Sequence, residues 1–139
     1  MKKYKFTGET KVVNGRTLHR IIALYDFDNV KKGDLGGWIE KEKNLSHYGW
    51  AWVGNEAMVY NNAEVSGNAK VYGNAKVHNS SSIYGDAQVY GNAKVYDKAE
   101  VYQFAQVYGN AKVYDNAKIY GLFTKVCRNS KIHNFTNKH

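Results

Sequence analysis

Cysteine is almost missing from this chain: Cys127 is the single one among 139 residues. That excludes an internal disulfide and a cysteine-built metal site alike. Long apolar runs are missing too, since no stretch approaches 18 consecutive apolar residues, and the opening "MKKYKFTGETK" lacks the apolar core of a signal peptide. The expectation is a cytoplasmic protein without a membrane segment. Acid is lacking in one place: residues 125–139 carry Lys125, Arg128, Lys131 and Lys138 and no Asp or Glu. Residues 1–44 hold ten Lys/Arg against six Asp/Glu, and residues 45–124 hold six of each. The formal charge of +8 therefore sits at the two ends, a poor match to a nucleic-acid protein with one continuous basic stripe.

What the chain does have is a repeat. A hydrophobic content of 43% is enough for one ordered domain, and most of it is arranged with a period of six. Val53, Val59, Val65, Val71, Val77, Ile83, Val89, Val95, Val101, Val107, Val113 and Ile119 follow one another without a break, and alanine precedes nearly every one by two, with Ser81 replacing it once. One extra residue enters around "GLFT", after which Val126 and Ile132 resume the frame. Six is not a helical spacing, because a period of 3.6 would scatter these positions around the helix. Valine, isoleucine and tyrosine favour strands, while Gly67-Asn68, Gly73-Asn74, Gly91-Asn92 and Gly109-Asn110 tolerate positive φ. Each hexad reads as a short strand plus a bend. Three bends close a triangle, so one coil takes about eighteen residues and the next stacks on it at about 4.8 Å.

The pattern resembles the hexapeptide repeat of left-handed parallel β-helices, in which an aliphatic residue points inward and a small residue follows four positions later. "VYGNAK" fits with Val inward and Ala as the small residue, and departs from the family at the second position, where tyrosine stands. The N-terminal "NGRTLHRIIAL" and "VKKGDLGGWIEKEKNLSHYG" also resemble the segment preceding such repeats in uncharacterised phage and prophage proteins of low-GC bacteria. The implied fold is all-β: a left-handed parallel β-helix of about five coils over residues 45–133. An N-terminal β cap over 1–44 and a short basic tail over 134–139 complete it. Three buried aliphatics per coil do not offset the entropy of ordering eighteen residues, so stacking and a cover over the open end must supply the rest. Asn14-Gly15 reads as a hairpin turn in that cover, "LHRIIAL" as a strand, and Trp38, Trp50 and Trp52 as bulky groups able to plug the triangular core.

Residues eighteen apart lie one above another, which assigns the outward groups to three flat faces. The first carries Met58/Tyr60, Lys76/His78, Lys94/Tyr96, Lys112/Tyr114 and Lys131/His133; the second Glu64/Ser66, Ser82/Tyr84, Glu100/Tyr102 and Lys118/Tyr120; the third Lys70/Tyr72, Gln88/Tyr90, Gln106/Tyr108 and Lys125/Cys127. Only the first has a lysine column. It reads either as a strip facing an anion or a partner, with Lys76, Lys94, Lys112, Lys131, His78, Tyr96 and Tyr114 as contact residues, or as a solvated face that keeps a duplicated sequence soluble. The third face, with Tyr72, Tyr90 and Tyr108 beside neutral glutamines, is the candidate for self-association. The resemblance implies a homo-oligomer, trimer or dimer.

Function is expected to be non-catalytic: an interaction or scaffold protein, a phage or prophage accessory factor that binds and inhibits a host protein, including a defence complex. Nucleic-acid or anion binding through the Lys/Tyr face is one alternative. A second is a hexapeptide-family acyltransferase, because the resemblance includes acyl- and acetyltransferases and a zinc-dependent carbonic anhydrase. Those enzymes use histidines and loops that interrupt the coils. Here His19, His47, His78, His133 and His139 form no cluster, and His78 and His133 stand three coils apart, roughly 14 Å. No catalytic residue, metal or cofactor is expected, and the "GNA" segments read as corners of the coil and not as a phosphate loop.

Overall fold

The computed structural model describes residues 2–134 and 136. Strands β1 (Tyr4–Val13) and β2 (Arg16–Ala23) form an antiparallel hairpin whose turn places Asn14 and Gly15 at positive φ. Strand β3 (Leu35–Ile39) pairs antiparallel with β2 on one side and parallel with Met58–Val59 on the other, so it joins the hairpin to the repeat. From there on the hexads form short strands, nearly all of two residues, each centred on an inward Val or Ile.

These strands stack into three parallel sheets, giving a β-solenoid of about five coils. One sheet has eight strands and begins with the hairpin; the other two have five and four. The register is the one that a coil of eighteen demands: Lys76 pairs with Lys94 and Lys94 with Lys112, Gln88 with Gln106, Glu100 with Lys118. Past "GLFT" the step becomes nineteen, with Lys112 beside Lys131 and Gln106 beside Lys125. The extra residue is absorbed at a corner, and the faces stay aligned.

The core is a single column of small and branched side chains. Every inward Val or Ile from Val53 to Ile119 and every alanine of the repeat is shielded from solvent. The Ala–aliphatic alternation works because the triangle is narrow: two positions per side point in, and only one can be large. Ser81, the one polar intruder, donates its hydroxyl to the carbonyl oxygens of His78 and Val95 and so stays satisfied.

Corners are built in two chemistries. After Val89 and Val107 the turning residue is glycine, Gly91 and Gly109, at φ 68° and 66°. A Cβ on Gly109 would lie 2.7 Å from the backbone nitrogen of Arg128 in the next coil, so the close approach as well as the φ demands glycine. At the corner that follows the first face the turning residues are Asn61, Asn79, Asp97, Asp115 and Asn134, all at positive φ. Here the side chain compensates: Asn61 Oδ1 accepts from the Asn79 N–H, Asn79 Oδ1 from that of Asp97, and Asp97 Oδ2 from that of Asp115.

The N-terminal segment closes the stack differently from the expected tryptophan plug. Ile39 and Leu45 continue the inward column, pairing in parallel with Val59 and Val65, and Ile21 and Tyr4 join the same core. Trp38 and Trp52 lie on the outside of the coil: both occupy positions just before an inward residue, and the cap folds over them. Trp50 sits at a corner and is half exposed. The rim is sealed by Lys3, fully buried, whose Nζ donates to the carbonyl oxygens of Gly49 and Ala51 and lies 5.1 Å from the Phe27 ring. Burial pushes that ammonium down to about 8, with Lys70 adding a smaller push in the same direction. No helix among the described residues is long and apolar enough to cross a membrane.

Candidate functional site

The first face presents a column of lysines backed by a continuous aromatic ladder. Strand geometry sends the residues on either side of each inward aliphatic residue outward, so from Lys76 onward lysine precedes and an aromatic ring follows on each rung. Lys76, Lys94, Lys112 and Lys131 stand in register at about 4.8 Å per step. None of the four forms an ion pair with any described residue. Beside them the rings stack nearly parallel: Tyr60 on His78 at 4.9 Å, His78 on Tyr96 at 5.3 Å, Tyr96 on Tyr114 at 5.2 Å and Tyr114 on His133 at 5.2 Å.

His78 occupies a tyrosine rung, and its electrostatics follow from that place. Burial between the two rings pulls the imidazole below its ordinary value; Asp97 opposes this, and Lys76 and Lys94 reinforce it. Burial thus favours the neutral imidazole, a flat polar spacer in the ladder. His133 at the far end is exposed and lies with Nδ1 3.5 Å from Asp115 Oδ2.

The lysine face starts only at Lys76, because its first rungs are covered. Trp38, Met58 and Tyr60 pack with Leu18 of β2 in a small apolar cluster outside the coil. Asn14 Nδ2 donates to the Tyr60 hydroxyl at 3.3 Å, and Lys11 Nζ and Arg20 stand over the Trp38 ring at 4.4 and 5.2 Å. Of the cap's cations here, Lys11 alone adds charge beside the apolar patch, because Arg16 and Arg20 are paired with Glu40 and Glu56.

The other two faces spend their tyrosines internally. On the third, Tyr72, Tyr90 and Tyr108 stack at 4.9 and 5.0 Å, and the hydroxyls of Tyr72 and Tyr90 donate to Gln88 Oε1 and Gln106 Oε1 one coil further on. On the second, Tyr84, Tyr102 and Tyr120 stack likewise, and Tyr84 donates to Glu100 Oε1 at 2.8 Å. The lysine face differs because a lysine cannot accept that bond.

The described histidines have separate surroundings, and His139 lies outside the described residues. His19 stacks on Phe6, and His47 stacks on Tyr4 with Nε2 2.7 Å from Glu42 Oε1. Among the described residues no group of three His, Cys, Asp or Glu side chains is placed to hold a metal ion.

One surface escaped the sequence reading. Phe104, Leu122 and Phe123 project from the corner that follows the second face, exposed by 49%, 63% and 86%. The Phe104 N–H donates to the Gly121 carbonyl, which places Phe104 and Leu122 one above the other, and Trp50 begins the same corner column three coils before Phe104. The signal was present: the position after the turning residue is polar in nearly every hexad, and "QFA" and "GLF" break that rule.

A family model described as the YdcK beta solenoid repeat matches residues 87–103 and 105–121, both within the coils that carry these ladders. No curated protein matches the chain. Model match and coil geometry agree, and the chain is a β-solenoid repeat protein, similar over its central coils to the YdcK repeat.

Proposed function

We propose that this protein is a non-catalytic interaction scaffold that binds an acidic partner surface through its first face. The observation that carries the proposal is the column Lys76–Lys94–Lys112–Lys131, four ammonium groups with no ion pair among the described residues, on a flat strip braced by stacked rings. Lysines this close repel one another by up to about 0.9 kcal/mol per neighbouring pair in bulk water. An acidic partner removes that repulsion on binding and gains from electrostatic steering.

The likeness of the leading segment to phage and prophage proteins supports a host protein as the partner, met in the host cytoplasm, with inhibition of a defence complex as its consequence. The hexapeptide spacing supports a left-handed winding of the coil. Self-association as a trimer or dimer through Tyr72, Tyr90 and Tyr108 belongs to the same proposal, since the outer edges of those rings remain a flat uncharged surface.

The test is a pull-down from host lysate with wild type and with Lys94→Glu/Lys112→Glu, joined to a native mass measurement. A stoichiometric host protein retained by wild type and lost from the double variant is the expected result. Retention by both, or a trimer with no host protein, sinks the first-face reading. An oligonucleotide shift that falls with salt and vanishes in the variant would assign the face to nucleic acid instead. Turnover of an acyl-CoA donor would overturn the non-catalytic reading altogether.

A further inference from the structure

The third face carries an aromatic ladder with one rung missing. Tyr108, Tyr90 and Tyr72 follow one another up the stack, and the next position in that column, one coil nearer the N-terminus, is Gly54. Nothing in the backbone asks for glycine there. Gly54 has no left-handed φ, and a Cβ built on it would meet only the Trp52 ring at 3.5 and 3.7 Å and Tyr72 Cβ at 3.7 Å, ordinary van der Waals contacts. The outer face of the Tyr72 ring is therefore left open by the absence of a side chain that the fold would accept.

That vacancy is the centre of a cleft of about 730 Å³, within the range of small-molecule sites. The loop between β2 and β3 leans over it. Phe27 of the loop packs edge-on against Trp52 at 5.4 Å, and a tight turn follows in which Phe27 and Val30 exchange backbone hydrogen bonds and Asp28 takes φ 49°. The turn is fastened to the coil by Asp28 Oδ2, 2.6 Å from Lys70 Nζ. The cleft thus has a stacking platform in Tyr72 and a ring edge in Trp52, whose Nε1–H has no partner among the described residues. On the loop side stand Asp28, paired with Lys70 of the coil, and the Asp34 carboxylate, one oxygen of which accepts the Lys31 N–H. Two carboxylates against one ammonium make it acidic in a chain of net charge +8.

We propose that this cleft binds a flat, nitrogen-rich heterocycle of the nucleobase kind, carrying no phosphate. The ring takes the missing rung, stacked on Tyr72 as Tyr90 is on Tyr72's other face. The ring nitrogens and exocyclic groups exchange hydrogen bonds with Trp52 Nε1–H and the Asp34 carboxylate. A phosphate is rejected because its charge would face Asp34 and compete with Asp28 for Lys70.

The experiment is isothermal titration of the full chain with adenosine, guanosine, cytidine and uridine, each compared with its 5′-monophosphate. At least one nucleoside is expected to saturate at one per chain, more tightly than its monophosphate. Gly54→Tyr restores the rung from within: it is expected to keep or raise the unfolding midpoint and to abolish binding. Tyr72→Ala removes the platform and is expected to weaken binding roughly tenfold to a hundredfold. If Gly54→Tyr disturbs the coil, Gly54→Leu fills the same space with less bulk and gives the same readout. Absence of saturation by every nucleoside, undiminished affinity in a folded Gly54 variant, or tighter binding of the monophosphates would each overturn the proposal.

Discussion

Lys3 Nζ donates to the carbonyl oxygen of Ala51 from a position without solvent exposure, so a single ammonium closes the rim of the first coil. In the unfolded chain the same group is an ordinary lysine, and in the folded chain it sits near 8. The unfolded state therefore binds the proton more tightly. The charged form weakens the fold below pH 8, and stability from this group returns as pH rises from 8 towards 10.5.

The measurable consequence is a denaturation free energy that increases by about 2 kcal/mol between pH 8 and pH 10 through Lys3 alone. Lys3→Met keeps most of the side-chain length and cannot titrate. Urea unfolding at both pH values should show the rise in wild type and its loss in the variant; an identical rise in both would remove Lys3 from the account.

The phenols act with the opposite sign. Tyr84, Tyr96 and Tyr102 have their ionisation pushed up by burial first, with the Glu100 carboxylate holding the Tyr84 hydroxyl as well. A raised value in the folded state gives stability that is complete below pH 10 and drains away above it. Tyrosinate absorbance should consequently lag behind that of the urea-unfolded chain and appear together with loss of β signal. Smooth ionisation at the ordinary value in a still-folded protein would contradict the ladder geometry.

Corner residues offer a test in which two substitutions move stability in opposite directions. Gly109→Ala places a Cβ 2.7 Å from the Arg128 nitrogen at φ 66°, and is expected to cost at least about 1 kcal/mol. Arg128 itself carries a Cβ at φ 59° in the same column, so Arg128→Gly is expected to be neutral or stabilising by up to about 1 kcal/mol. Denaturation midpoints of the two variants decide it, and a stabilising Gly109→Ala would mean that the corner is not built as described.

Much of this was legible because a strict period converts sequence position into spatial position. Once Val95 and Val113 are known to point inward eighteen residues apart, Lys94 must lie beside Lys112 and Tyr96 must stack on Tyr114. The cap obeys no such rule. Trp38 and Trp52 looked like plugs because they are large and apolar, yet they take outward rungs, and the core end is filled by Ile39, Leu45 and Ile21. Nothing in spacing distinguishes a tryptophan that fills a core from one that is roofed over by a hairpin; only the pairing of β3 with both β2 and Met58–Val59 does. Lys3 was illegible for a related reason, because an N-terminal lysine is ordinarily solvated and its carbonyl acceptors lie more than forty residues away. Gly54 and Phe104 were visible as departures from the repeat, but a departure acquires meaning only when the column it interrupts is known.

The coil of eighteen residues sets a grammar for how such a chain can lengthen or shorten. A deletion of eighteen residues inside the lysine-bearing coils would leave every remaining residue on its own face, shortening the lysine strip by one step. A deletion of six would keep each valine inward and each corner in place, and yet would turn everything beyond the cut by a third of a revolution, setting lysine rungs over glutamate or glutamine rungs. The fold would tolerate both changes, but the surface only the first. Selection on such a chain can therefore be read from the lengths of its insertions: multiples of six mark a molecule kept for its core, and multiples of eighteen one kept for its faces.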